Sequence, residues 1–308
     1  MRTACFTIKN GPMNGGYDMR ILAMHDFADD CLHPEDDNAW FVSEQGVFAL
    51  VADGCSEPYF GKQFMYPGGL TGGQKVVRTI RQAFSSANPE DDLGDVVIRA
   101  NEEIWNIQQK HRGNEVHRDD PATLANASFS CLKFDRKARI MEVIWGADVF
   151  TIWVTRSGKV NIVGGDNRDA EMERERRYVE LVADAHSDHE KEKAAQKRYW
   201  LEEFPRLKRK HDNVEYSILN GSLDVATHWH REVVKEPIDF IVVVSDGAWI
   251  PMEDWGKNPV KAKYFVQLLK NGGGWDSALP WIREQQNHGL TNQRVKRPEA
   301  AGLAIFAE

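Results

Sequence analysis

The chain has 308 residues, 42% hydrophobic and 28% charged, which is the balance of an ordinary globular protein long enough to bury a sizeable core. A formal net charge of −8 and a pI near 5.7 argue against a general grip on nucleic acid and suit a protein that collects divalent cations. Cys5, Cys31, Cys55 and Cys131 form no C-x-x-C pair, the first residues lack the apolar core of a signal peptide, and no apolar run approaches bilayer length. A cytoplasmic protein with reduced thiols and no membrane partner is therefore expected.

Read in chain order, residues 4–8 and 21–24 are two edge strands joined by a turn-rich connection. The acidic cluster Glu35-Asp36-Asp37 leads into a third strand over 39–42, and Ser-Glu-Gln-Gly is short enough to turn it into a fourth over 47–52. That fourth run is apolar without interruption, so burial on both faces is expected, and it stops at Asp53-Gly54. Glycines at 68, 69, 72 and 73 loosen the chain before two helices: Val76, Val77, Ile80, Ala83 and Phe84 share one face of the first, and Leu93, Val96, Val97, Ala100, Ile104 and Ile107 one face of the second. Strands follow over 127–134, 140–146 and 150–155. From Asp169 to Lys210 the composition turns to Glu, Arg and Lys with scattered aromatics, read as solvated helices or as a flap beside the site. A strand over 240–245 then runs into a second Asp-Gly pair, Asp246-Gly247. Two helical segments over 259–269 and 277–286 and a closing strand over 302–306 complete a single domain carrying that charged insertion.

Several chemistries fail on spacing. Residues 68–75 lack the Lys directly after the second Gly that a phosphate loop requires. No cysteine is followed six residues later by Arg, and Cys55 stands where a dehalogenase-type phosphatase needs its second Asp. His186, His189, His228 and His230 have no companion ligands at recognisable spacing and read as surface residues. Acids at strand ends remain: Asp37, Asp53, Asp148 and Asp246. An oxygen-rich set of carboxylates favours Mg²⁺ or Mn²⁺ over zinc, and two such ions sharing an acid lower the pKa of a water held between them.

In order along nearly the whole chain, Glu35-Asp36-Asp37-Asn38-Ala39-Trp40, the run from Val47 to Gly54, Pro121-Ala122-Thr123-Leu124, Trp145-Gly146-Ala147-Asp148, Val244-Ser245-Asp246-Gly247-Ala248-Trp249 and Glu299-Ala300-Ala301-Gly302-Leu303 resemble the motifs of the PP2C-type (PPM) metal-dependent serine/threonine phosphatases. The resemblance implies an α+β fold, a four-layer α-β-β-α sandwich of two antiparallel sheets flanked by helix pairs. It also implies a two-metal centre of Mn²⁺ or Mg²⁺ and a phosphorylated protein as substrate. Carried over, Asp53 bridges the ions with the Gly54 carbonyl beside it, Asp37 (preferred to Asp36) serves one ion, Asp246 and Glu299 serve the other, and Asp148 helps hold a third. Catalysis falls to Asp53 and Asp37. The chain departs from the pattern at Glu299-Ala300, where the family has Asp-Asp or Asp-Asn, and at Cys55, where some members carry a His. It departs again before the acidic pair, where the phosphate-holding Arg is replaced by Leu32 or His33, with Arg20 as a substitute. These departures motivate two alternatives: a weakly active or inactive binding module, and a phosphatase of small metabolites.

Overall fold

The computed structural model describes residues 2–8, 19–26, 34–43, 46–59, 61, 63–88, 90–183, 188–249, 257–271, 273–288 and 299–307. The chain opens with strands β1 (Arg2–Ile8), β2 (Met19–Asp26), β3 (Asp37–Val42) and β4 (Gly46–Cys55), then helices α1 (Gly72–Ser85) and α2 (Leu93–Arg112). Strands β5 (Asn126–Asp135), β6 (Ile140–Gly146), β7 (Phe150–Thr155) and β8 (Val160–Val163) precede the helices α3 (Arg168–Ala183), α4 (His189–Arg198) and α5 (Phe204–His211) of the charged stretch. A single turn, α6 (Val225–His228), leads to β9 (His230–Val234) and β10 (Ile238–Val244), then α7 (Pro259–Lys270), α8 (Trp275–His288) and β11 (Ala300–Ala307).

All the strand pairs are antiparallel, in a six-stranded sheet ordered β1-β2-β11-β10-β7-β8 and a five-stranded sheet ordered β3-β4-β5-β6-β9. Alternation along β4 builds the layers. Val47, Ala49 and Val51 pack against Ile241, Val243, Leu303 and Ile305 of the other sheet, whereas Phe48, Leu50 and Ala52 pack against Val76, Ile80 and Val97 of α1 and α2. On the far side, Phe240, Val242 and Phe306 meet Phe265, Trp275 and Ile282 of α7 and α8. The result is the expected four-layer α-β-β-α sandwich.

Local chemistry sets the helix starts. Thr71 caps α1 in a reciprocal capping box with Gln74, and the Asp92 carboxylate caps α2 by accepting from the amides of Gly94 and Asp95. Two strands escape the sequence reading because they lie at sheet edges. β9 is exposed at four of its five residues, and β8 is only half-buried, so neither carries an apolar run. β4 also runs longer than its apolar core, since Asp53, Gly54 and Cys55 continue to pair with Ser128, Ala127 and Asn126. A ladder is held by backbone groups, so it persists where the side chains turn polar.

A candidate metal centre at one end of the sandwich

The antiparallel registers bring the end of β4, the start of β5, the end of β10, the start of β11 and the start of β3 to the same edge of the sandwich. The glycines of the two Asp-Gly pairs explain how further acids join them. A Cβ on Gly54 would stand 2.8 Å from the Glu35 carbonyl oxygen, and the Gly54 amide donates to that oxygen at 3.2 Å. A Cβ on Gly247 would stand 1.6 Å from the Glu299 carbonyl oxygen. Each glycine therefore admits the backbone of a second acidic segment against its own strand end, rather than only leaving room for a ligand.

Strand alternation decides between the neighbouring acids of the first motif. Asp37 lies on the face of Ala39, toward α1, where its carboxylate takes the Arg81 guanidinium at 3.1 Å and the Asn38 amide at 2.8 Å. Asp36 lies on the opposite face, buried, and accepts the Ser245 hydroxyl at 2.7 Å. The structure thus brings Asp36 to Asp53 and Asp246 and turns Asp37 away. The two faces of β3 are both partly apolar, so sequence alone left this open.

The pKa values report the crowding. Burial lifts the Asp53 carboxyl well above its ordinary range, and the charges of Asp36, Asp246 and Asp148 add to the rise. Burial and Glu299 do the same to Asp36. Asp246 is pushed up to about 7, chiefly by burial and then by Asp148. Glu35 is raised by burial despite accepting the hydroxyls of Ser56, at 2.6 Å, and Thr71. The Glu299 carboxylate accepts the Glu35 amide at 2.7 Å and faces His25 Nε2 at 3.2 Å, so it stands beside Asp36.

Asp148 rides on a tight turn. Ala147 adopts a φ of 63°, and its carbonyl accepts the amides of Gly165 and Asp166 at 2.8 and 3.2 Å. Asn167 donates to Asp148 Oδ2 at 3.0 Å, while Asp148 Oδ1 is buried with no hydrogen-bond partner. Asp53, Asp148 and Asp246 open together into a cavity of about 670 Å³, whose far wall is built from α3, α5 and the π-helical turn between α4 and α5.

The donors fit a hard divalent cation: they are all oxygen, they repel one another, and one is buried without a partner. Among the described residues no three His, Cys, Asp or Glu side chains are grouped closely enough to hold an ion by themselves. Mg²⁺ keeps several waters and takes few carboxylates directly, so the rim suits a hydrated ion.

One other sequence-derived candidate, Arg20, does not reach the rim. Arg20 holds its guanidinium 4.1 Å above the Phe306 ring, six residues of strand and roughly 20 Å from Asp26 at the site end of β2. His33 lies outside the described residues. Sequence reasoning gave no role to Ser245, Asn126, Asn167, Glu171 or Arg174. Only Ser245, next to Asp246, carried a signal.

No protein-family model matches the chain, and no curated protein does. Solved structures do match. The serine/threonine phosphatase Stp1 from Staphylococcus aureus is 10% identical with a TM-score of 0.55, covering 98% of this chain and 100% of that one. The serine/threonine phosphatase of S. agalactiae is 12% identical with a TM-score of 0.53 over 94% and 100%. RsbX, crystallised in complex with magnesium, is 10% identical with a TM-score of 0.51 over 98% and 99%. Identities this low speak of architecture, and that architecture is plain: the chain has the PP2C-type (PPM) phosphatase fold.

Proposed function

We propose that the protein is a Mg²⁺- or Mn²⁺-dependent phosphomonoesterase acting on phosphoserine or phosphothreonine in proteins. The observation that carries this reading is the convergence of Asp36, Asp53, Asp148 and Asp246 at one end of a PP2C-type sandwich, where burial and then the neighbouring charges raise the pKa values of Asp36, Asp53 and Asp246. Asp53, the Gly54 carbonyl, Asp36 (in the place first given to Asp37) and Asp246 would hold two ions, while Glu299, carried over as the partner of Asp246, stands beside Asp36 instead. Asp148 would hold a third ion more weakly. Bound there, such ions supply an activated water and the positive charge that offsets the phosphoryl oxygens.

The chain's own residues prepare for this. The Ser245 hydroxyl fixes the rotamer of Asp36, and Asn167 occupies one oxygen of Asp148 and leaves the other free. Burial pushes the Cys55 thiol up to about 11, so it stays protonated at neutral pH and is no nucleophile. Hydrolysis of an aryl phosphate tests the reading. Activity should require Mn²⁺ or Mg²⁺ and vanish in Asp53→Asn, and a protein that binds Mn²⁺ tightly without hydrolysing any phosphoester would overturn it. The rival reading, a binding module with a degenerate site, draws on the spacing of the acids. It predicts uptake of at most one ion, weakly, in a calorimetric titration.

A further inference from the structure

The cavity beside the acids is far larger than a phosphoryl group needs. Its 670 Å³ lies within the range of pockets that enclose a whole small molecule or an amino-acid side chain with its backbone. The wall opposite the acids is aromatic. Tyr178, Tyr199, Trp200 and Phe204 meet in successive edge-to-face pairs, with centroids 5.1 Å apart for Tyr178–Tyr199, 5.3 Å for Tyr199–Trp200 and 5.1 Å for Trp200–Phe204. The π-helical turn over Tyr199–Glu203 inserts the extra residue that lets Tyr199, buried, and Trp200, at the mouth and 38% exposed, join the same wall.

The cations of this cavity are already committed. Arg174 gives its guanidinium to Asp212 at 2.7 Å, to the Tyr216 hydroxyl at 2.6 Å and to Glu171, and Lys208, fully buried, donates to the Leu124 carbonyl at 2.8 Å. Only Arg174 Nε is left without a partner, on a guanidinium already shared between Glu171 and Asp212, so little charge is left over to receive a second phosphate or a carboxylate. What remains unpaired among the polar side chains of the floor is mostly acceptor. Asn126 and Asn167, each 3% exposed, turn their amide nitrogens to the carboxylates of Asp212 and Asp148, both at 3.0 Å. Their Oδ1 atoms are thereby fixed as acceptors, and both are buried with no donor. An occupant must bring N–H or O–H groups to them, or each costs the penalty of a desolvated polar atom.

We infer that this cavity is a specificity pocket for an uncharged aromatic side chain next to the phosphorylated residue, whose main-chain N–H groups satisfy Asn126 and Asn167. The inference rests on the phosphatase reading above and narrows it to one class of phosphopeptide. A free aryl phosphate shares part of this chemistry but lacks the main-chain donors. Peptides with an acidic neighbour are disfavoured twice over, by the acid rim and by cations that are already paired.

The test uses matched phosphoserine peptides that differ only in the residue beside the phosphoserine, which is Phe, Ala or Glu, on the full-length protein with Mn²⁺. Burying one aromatic side chain is enough for a preference of about tenfold or more in kcat/KM for Phe over Ala, with Glu below Ala. In Trp200→Ala, with an unchanged melting temperature, that ratio should fall below about threefold, and Trp200→Phe should restore most of it. Equal rates on the Phe and Ala peptides in the wild type, or a ratio that survives Trp200→Ala, would overturn the inference. Should no peptide be hydrolysed, the phosphatase reading falls by itself, and fluorescence polarisation with the same labelled peptides still decides the pocket. A tenfold tighter Kd for the Phe peptide, lost in Trp200→Ala, supports it, and equal Kd values refute it.

Discussion

Adding a divalent cation should stabilise this protein, and by more at alkaline pH. Asp246 sits at about 7 against an ordinary 3.8, and Asp36 and Asp53 are raised well above theirs. A carboxyl whose folded pKa lies above its unfolded one holds a proton that the unfolded chain releases. Its contribution is therefore whole below about pH 4 and is lost as the pH climbs through 7. For Asp246 alone the gap of about three units corresponds to roughly 4 kcal/mol. About 2.7 kcal/mol of that, two of the three units, is lost between pH 5 and pH 8, and a chain of 308 residues unfolds with an entropy of about 0.6 kcal/mol per degree, so the melting temperature falls by roughly 4 °C over that range. Mn²⁺ at a hundred times its Kd returns about 2.7 kcal/mol, roughly 4 °C. Differential scanning calorimetry in chelator and in Mn²⁺, at pH 5 and pH 8, reads all of these. Asp53→Asn sharpens the comparison, because removing one repelling charge should raise the melting temperature in chelator at pH 8 while abolishing the Mn²⁺ shift. Melting temperatures indifferent to Mn²⁺ at pH 8, together with an Asn variant that is destabilised in chelator, would refute the reasoning.

Three further outcomes follow from particular contacts. Asp36→Asn should lower Mn²⁺-dependent aryl phosphate hydrolysis about a hundredfold or more, on the order of one lost charge interaction at the reacting centre, whereas Asp37→Asn, which removes only the exposed pair with Arg81, should stay within about threefold. Gly247→Ala drives a Cβ to 1.6 Å from the Glu299 carbonyl, and urea denaturation should show a loss of about 3 kcal/mol or more, since backbone must move on both sides. Arg174→Met leaves the fully buried Asp212 with its guanidinium partner gone, and the same measurement should show a loss of about 3 kcal/mol, the cost of breaking rather than replacing a buried pair.

The four-layer sandwich came from the resemblance of the motifs, but its strands and first helix pair were legible because the core obeys simple periods. The uninterrupted run of β4 announced burial on both faces, and the apolar stripes of α1 and α2 announced the layer outside it. The acids were legible as strand-end residues because Asp-Gly punctuates an apolar run. Which of Asp36 and Asp37 points inward was not, because β3 mixes Ala39 and Phe41 on one face with Asn38 and Trp40 on the other, and only pairing to a second sheet distinguishes them. The cavity wall was hidden for a different reason. Arg174, Lys208 and Asp212 sit in a run of charges indistinguishable by composition from a solvated helix, yet they are the buried members, paired with one another and with Tyr216 across gaps of up to 42 residues. Charge alone says nothing about burial until a partner from elsewhere in the chain is in place. The packing of Gly54 and Gly247 against Glu35 and Glu299 is a long-range fact that one position cannot carry.

The central claim is that acids far apart in sequence meet to hold divalent ions, and anomalous scattering from a Mn²⁺-soaked crystal addresses it most directly. The account predicts manganese peaks ligated by Asp53 and flanked by Asp36 and Asp246, with a weaker one near Asp148. A fully occupied manganese site elsewhere, with these four carboxylates contacting only protein and water, would contradict it.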